Sequence, residues 1–454
     1  MFQMITSITD FLWGIPLMVA VVLLGLYLTI RVGFFQITGI KMIFDKTVKE
    51  MLGKGKSNVD DAEGSMKPTE ALSTVLAGTI GSGNIAGVAS AIAIGGPGAV
   101  FWMWIIALAG MITKMAEVSL AVHYRKKGEN GEFYGGPMHY IKNGMKNGSF
   151  LAGIFSVALL VLVIVDACFV QTNTLASSAH DVFGIPLILT GVILVIISIA
   201  VIAGGTKRIG AFCSKIVPPM VIFYIIGTLG VIILNIQNVP EVFGMIIKYA
   251  FSPAPAVGGF AGATISLAMA RGASRGIFSN EAGMGTATTV HATAKTDHPI
   301  HQGMYGIFEV FLDTIVVCTL TALAILTSGV WSSGDTGVIL TFSAFRSVWG
   351  SWGIYVLGIS VILFTFSSYL GFFVEYKTCI EHVFGEKSVK YLQWLYFIPP
   401  ILAVTMDTEM IWTLADIAVG FIIIPNLIAL VALSNKFVKL FKEYINKENQ
   451  INES

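Results

Sequence analysis

The chain has 454 residues, 55% hydrophobic and only 12% charged, with a formal net charge of +1. A soluble domain carries about 25% charged residues, so this composition excludes one and points to a chain threaded repeatedly through a bilayer. The near-neutral balance says nothing about nucleic acid, no basic cluster is interleaved with aromatics, and four cysteines at unrelated spacings exclude a CxxC zinc or redox motif.

A membrane span needs roughly 20 mostly apolar residues. Eleven segments qualify: 12–32, 69–94, 98–122, 150–176, 185–204, 214–235, 258–293, 302–328, 350–376, 390–406 and 409–434. The first is full length and lacks a basic leader, so it reads as a span and not as a cleaved signal. Behind it, residues 40–51 suit a short amphipathic helix lying on the membrane surface. The seventh segment is too long and too polar in its middle for one straight helix. No connection has room for a nucleotide-binding domain and no GxxxxGK[ST] occurs, which excludes transport driven by ATP hydrolysed on this chain.

Lysines and arginines orient the spans. Twenty-three of them fall in the loops after spans one, three, five, seven and nine and in the tail, whereas the alternate loops hold only Lys248 and Arg346. Cytoplasmic loops carry the positive excess. The expectation is a multi-pass plasma-membrane protein with Met1 outside and Ser454 in the cytoplasm. Lys114, Arg271 and Arg275 lie inside spans.

Two spans are interrupted. Residues 76–104, "LAGTIGSGNIAGVASAIAIGGPGAVFWMW", are apolar enough to cross a bilayer yet hold seven glycines, Thr79, Ser82 and Asn84. Each glycine costs a helix about 1 kcal/mol relative to alanine. The expected breaks are "AGTIGSGN" at 77–84 and "ARGASRG" at 270–276. With span one set aside, each break opens a half of five spans. Matching irregular segments mark a secondary transporter's midplane site, and an odd number of spans per half inverts the halves. The chain divides into an extra helix and cytoplasmic loop at 1–66, a first repeat at 67–236, a second at 237–434 and a cytoplasmic tail at 435–454. Free N–H groups after Gly83, at the positive end of a half-helix, suit a carboxylate. Carbonyls from Ala77 to Ile80, the Thr79 and Ser82 hydroxyls and the Asn84 amide oxygen suit sodium. The plainer reading is close helix packing, since Gly83 and Gly87 fit GxxxG.

These residues carry a resemblance. "GTIGSGNIAGVASAIAIGGPGAVFWMW" together with "SRGIFSNEAGMGTATTVHATAKTDHP" at 274–299 resembles the alanine/glycine:cation symporter family over the whole chain. The resemblance implies an all-α polytopic protein of 11 transmembrane helices. One extra helix precedes a LeuT-like five-plus-five inverted repeat formed by spans two to eleven. It also implies uptake of alanine or glycine coupled to Na+, with H+ as the alternative ion, and neither enzyme activity nor a nucleic-acid partner. "GSGN" at 81–84 matches the first broken helix of LeuT-like transporters, which implies that the backbone of Gly81, Ser82 and Gly83 receives the substrate carboxylate. It further implies a sodium touching the Thr79 carbonyl and the Asn84 side chain. A second sodium would meet the carbonyls of Ala77 and Ile80 and the hydroxyls of Ser367 and Ser368, with Thr365 nearby. The arginines at 271 and 275 depart from that pattern.

The walls of the site are expected at Gln171, Gly276, Ile277 and Phe278, with space for hydrogen or methyl on the α-carbon. Asp166 is a partner either for the substrate ammonium or for Arg271 or Arg275. Lys114 and Glu117, three residues apart, are expected to neutralise each other. Glu309 and Asp313 share a face of span eight, one of them a partner for Arg275. Glu281 and Asp416 have no assigned partner. "GASRG" at 272–276 matches the GxSxG nucleophile elbow, but that motif requires a strand-to-helix turn. A channel would call for a continuous polar pore or symmetric rings, whereas the polar residues here concentrate at two breaks.

Overall fold

The computed structural model describes residues 15–52, 62–129 and 131–453, so Met1, Lys54, Lys56 and Ser454 lie outside it. In chain order the principal helices are α1 (Ile15–Arg31), α2 (Pro68–Thr79), α3 (Gly83–Gly95), α4 (Gly98–His123), α5 (Ser149–Phe183), α6 (Leu187–Ile202), α7 (Gly205–Leu234), α8 (Val239–Phe251), α9 (Ile265–Asn280), α10 (Pro299–Thr327), α11 (Gly337–Trp349), α12 (Ser351–Phe384) and α13 (Thr408–Glu453). Among the described residues the strands form one hairpin, Lys126–Lys127 with Phe133–Tyr134. Among the described residues six helices are individually long and apolar enough to cross a membrane, or seven if the pair α2–α3, bent by 47°, counts as one span. Within a bilayer only helices or closed barrels satisfy every backbone group, and this chain uses helices.

α4 forms the centre, packed against α1, α9 and α10, while α2 rests on α7 and α12. Small residues set these crossings. A Cβ on Gly272 of α9 would strike the Ala99 carbonyl of α4, and one on Gly371 of α12 would lie 2.8 Å from the Gly78 nitrogen of α2.

Two local expectations need correction. The "ARGASRG" stretch is continuous helix within α9, and the interruption follows Asn280. Left-handed backbone occurs at Glu281 (φ 56°), Gly283 and Gly285. Gly272 serves packing against α4, because it keeps a helical φ and lacks only Cβ space, whereas a Cβ at Gly276 would make ordinary contact with Met103 and Ile106. The segment predicted as span 390–406 is three short turns, Glu386–Leu392, Gln393–Phe397 and Pro399–Ala403. Pro399 and Pro400 lack the N–H that would continue the preceding helix. α13 runs unbroken past residue 434, so the described part of the tail is helical. It docks through Arg31 to Asn435 (2.9 Å), Lys46 to Glu448 (3.0 Å) and Phe35 against Phe441. The surface helix expected near 40–51 is present as Ile40–Lys46 and Val48–Met51.

The basic loops meet at one end of the bundle. Arg125 donates to the carbonyls of Glu63 (2.7 Å), Ala292 (3.0 Å) and Ala294 (2.6 Å). Ser65 donates to Thr293 and Lys295 to Met66 through backbone N–H groups. Lys377 pairs with Glu132 at 2.9 Å. Burial works to raise the Glu132 carboxyl, but Lys377 and the Thr206 hydroxyl override it and hold it below the usual carboxylate range. At the opposite end the loops after α7 and α10 meet, as Asn238 donates to the Thr327 carbonyl at 2.8 Å and Gly259 to Ser332 at 2.6 Å.

Candidate functional site at the broken helix

The break between α2 and α3 frees backbone groups inside the protein. In an unbroken helix Gly81 N–H would donate to the Ala77 carbonyl and Ser82 N–H to that of Gly78. Instead Gly81 donates to Asn84 Oδ1 (2.9 Å) and Ser82 to Gln171 Oε1 (3.2 Å). Those two carbonyls lose their helical donors, and Gly78 joins Ala77 as a source of neutral oxygen. Ser82 Oγ is buried and has no hydrogen-bond partner among the described residues. Ile80, with ψ 89°, is where the chain leaves the helix. Thr79 Oγ1 is tied to the Val75 carbonyl at 3.2 Å, which leaves the Thr79 carbonyl as its contribution toward the break.

Other helices converge on this point. Gln171 ends the widened turn Ile164–Gln171 of α5, and its amide N–H donates to Asp166 Oδ1 at 2.8 Å. Asp166 therefore reaches the break through Gln171. A Cβ on Gly81 would strike Ser368 Oγ and lie 3.0 Å from Gln171 Oε1, which places Ser368 of α12 beside the unwound chain. Ser367 Oγ instead faces Met220 of α7 at 3.5 Å, and Thr365 Oγ1 is bonded to the Val361 carbonyl of its own helix. A Cβ on Gly83 would sit 3.2 Å from the Phe278 ring and 3.3 Å from Ser279 Cα. Phe278 thus forms a wall, with Ile277 buried beside it. Gly276 faces Met103 and Ile106 of α4. Gly87 and Gly95 also approach α9, at Arg275 and at Ala268. The close-packing reading of the glycines and the unwinding reading therefore both apply.

Asp313 of α10, expected only as a candidate partner for Arg275, stands beside the break instead. Its carboxylate accepts from Asn84 Nδ2 (2.6 Å), Ser279 Oγ (2.8 Å) and Thr314 Oγ1 (2.8 Å). Among the described residues no ion pair reaches it, and it is fully buried. A buried carboxylate without a counter-charge is costly, and here it sits against the oxygen-rich break. An ionisable residue inside a span is a functional candidate by default, and that is the signal that could have singled it out.

Arg275 pairs with Asp416 of α13, Nη1 to Oδ1 at 2.7 Å and Nη2 to Oδ2 at 3.0 Å. This corrects the expectation of Glu309 or Asp313 as its partner. Its guanidinium lies 5.0 Å from the Trp412 ring centroid, and Trp412 packs 5.2 Å from Phe278. Trp412 was not foreseen, because its position depends on how α13 crosses α9. Lys114 pairs with Glu309 at 3.0 Å and not with Glu117, since the two α4 side chains turn to different neighbours.

A helical bundle with a helix broken inside its core and a buried carboxylate beside the break is the arrangement of a secondary transporter. The chain belongs to the sodium:alanine symporter family, whose model matches residues 1–454. It is thus an amino-acid:cation symporter of the membrane and not an enzyme. It is 37% identical to the sodium/alanine symporter AgcS of Methanococcus maripaludis, over 97% of each chain. It is 36% identical to the probable sodium/glutamine symporter GlnT of Bacillus subtilis, over 97% of this chain and 90% of that one. In fold it is similar to a manganese transporter from Eremococcus coleocola, with TM-score 0.53 and 12% identity over 82% of this chain and 81% of that one.

Proposed function

We propose that this protein carries alanine or glycine into the cell together with sodium, by alternating access. The observation that supports this most is the pair of backbone donors at Gly81 and Ser82, held by side-chain oxygens of Asn84 and Gln171. Gln171 Oε1 occupies the place that a substrate carboxylate oxygen would take. On this reading Gly81, Ser82 and Gly83 receive the carboxylate, while Gln171 and Phe278 bound the α-carbon. Asp166, reached through Gln171, is the acceptor for the ammonium.

Asp313, Asn84 and the Thr79 carbonyl would hold one sodium. The carbonyls of Ala77 and Ile80 with Ser368 would hold a second. Sodium is a hard cation suited to such oxygen sets, and the charge of Asp313 offsets the cost of bringing it inside. The relative named for glutamine makes an amide side chain the competing cargo. The nearness of Phe278 to Gly83 favours the smaller one.

The architecture that fits is eleven spans, with ten arranged as a LeuT-like inverted repeat divided at 67–236 and 237–434. The short turns at 386–403 would serve as its penultimate crossing. The basic end of the bundle would face the cytoplasm. A cysteine placed at Asp335 is then expected to react with an impermeant reagent from outside, and one at Lys126 to be shielded; the reverse pattern would invert the assignment.

The deciding experiment is uptake of labelled alanine into proteoliposomes under a sodium gradient. Glycine should compete, and leucine, glutamine and ethylamine should not, because each lacks either the fit or the carboxylate. Uptake indifferent to sodium, or strong competition by ethylamine, would overturn the reading. In the same assay Ser368→Ala is expected to raise the half-saturating sodium concentration about tenfold, the loss of one good ligand at about 1.4 kcal/mol. Ser367→Ala, whose hydroxyl faces Met220, should change it little. Equal effects of the two would remove Ser368 from the ion site.

A further inference from the structure

A second polar cluster is buried where α4, α10, α12 and the segment after α9 meet. Lys114 Nζ lies 3.0 Å from Glu309 Oε1, with both side chains fully buried. Glu309 Oε2 is 3.0 Å from His291 Nε2, and Gln302 meets the other ring nitrogen at 2.9 Å. Glu117 and Glu281 also act on Lys114, and Glu375 of α12 acts on both Lys114 and Glu281. Asp166 of α5 reaches Glu281 as well. Around the rim, Asn426 donates to Glu117, Tyr140 donates to Asn426, and Thr286 donates to Glu281.

The charges do not balance. Glu117, Glu281, Glu309 and Glu375 are each at most 3% exposed, and among the described residues Lys114 is at ion-pair distance from Glu309 alone. One lysine stands against four carboxylates, with Asp166 a further one at the edge of the cluster. An ionised carboxylate without a partner in such surroundings costs far more than neutralising it. Among the described residues no three His, Cys, Asp or Glu side chains converge as ligands for a multivalent metal ion. A proton neutralises a buried carboxylate without any ligand set.

Glu281 and Glu375 are the members placed to carry it. Glu309 has Lys114 and His291, and Glu117 has the Asn426 amide, whereas Glu281 is met by a neutral hydroxyl and Glu375 Oε2 by no hydrogen-bond partner among the described residues. Of the two, Glu281 lies on the segment that leads to the basic end. It stands in the left-handed region at φ 56°, the first residue of the irregular stretch. Non-glycine residues held there are strained and cluster at functional and switch positions. From Glu281 the chain runs directly to the seal at the basic end, where Ala292 and Ala294 accept from Arg125.

We propose that Glu281 is a proton-binding site, distinct from the cargo site and loaded at neutral pH in this closed conformation. Opening of the basic end would admit water to the cluster and discharge it, so acid on that side holds the end shut and alkali releases it.

The test is infrared spectroscopy of the purified full-length protein in lipid at neutral pH, in H2O and in D2O. The wild type should show a protonated-carboxyl band that shifts in D2O. Glu281→Gln should lose the share of one carboxyl from it. Lys114→Met, which removes the balancing ammonium, should enlarge the band and covers the case in which Glu281→Gln does not fold. A wild type without the band, a band of unchanged size in Glu281→Gln, or one unchanged in Lys114→Met would overturn the proposal. Absence of alanine uptake with these band changes present would count against the cargo reading alone.

Discussion

Replacing Arg275 by glutamine is expected to abolish uptake and to destabilise the folded protein by about 3–5 kcal/mol, the usual cost of removing one partner of a buried ion pair. The bond is bidentate at 2.7 and 3.0 Å, and both side chains are buried to within 7% exposure. Without the guanidinium, the Asp416 carboxylate loses its fork-shaped partner. The damage would spread, because the same guanidinium lies over Trp412, and Trp412 backs the Phe278 ring against Gly83. The wall of the site would then lose its support. The double change Arg275→Gln with Asp416→Asn should recover most of the stability, since it removes both charges together. It should not restore normal uptake, because Trp412 still lacks the cation over its face. Thermal unfolding in detergent alongside liposome uptake would read both effects. Native-like stability in the single variant would mean that the pair is open to water.

Gly83→Val should eliminate uptake while leaving insertion into the membrane intact. A Cβ at this position would already be 3.2 Å from Phe278 Cδ1 and 3.3 Å from the Ser279 backbone. Valine adds two further carbons and cannot rotate them away, because β-branching fixes χ1 in a helix. Gly83→Ala separates shape from backbone freedom. Its single methyl needs neighbours to move by a few tenths of an ångström, and overpacking of this kind costs about 1–3 kcal/mol. A reduction of uptake affinity of roughly tenfold is expected for alanine at this position, against complete loss for valine. Binding can be followed by the protection that the amino acid gives against thermal unfolding. Normal uptake by the valine variant would move the cargo site away from this break.

Much of the first break was legible in the chain itself. Glycine at 78, 81 and 83 with Asn84 in an uncharged apolar run has few explanations other than an opened helix, and the structure opens it there. The second interruption was misplaced because glycine has two uses. Within α9 it supplies missing bulk at a helical φ, and only at 283 and 285 does it supply positive φ. One-dimensional reading cannot separate these, since both leave the same letter. α8 and α11 were passed over for a related reason: as short loop helices they bury one side against spans whose positions the loop sequence does not carry.

Composition and charge pattern alone determined that this chain crosses a membrane many times and has no soluble catalytic domain. They also placed the bases at alternating loops, and the structure brings those loops together at one end. These properties sum over many residues, so no single misplaced boundary disturbs them. Partners of buried charges were decided only by tertiary structure. Arg275 with Asp416, Lys114 with Glu309 and Asp313 with Asn84 each join helices distant along the chain. Inside a bilayer every charge must find a partner, and which one it finds depends on helix rotation and depth. A rotation of 100° per residue is enough to turn a side chain from one neighbour to another, so spacing along one helix could not choose between Glu117 and Glu309 for Lys114.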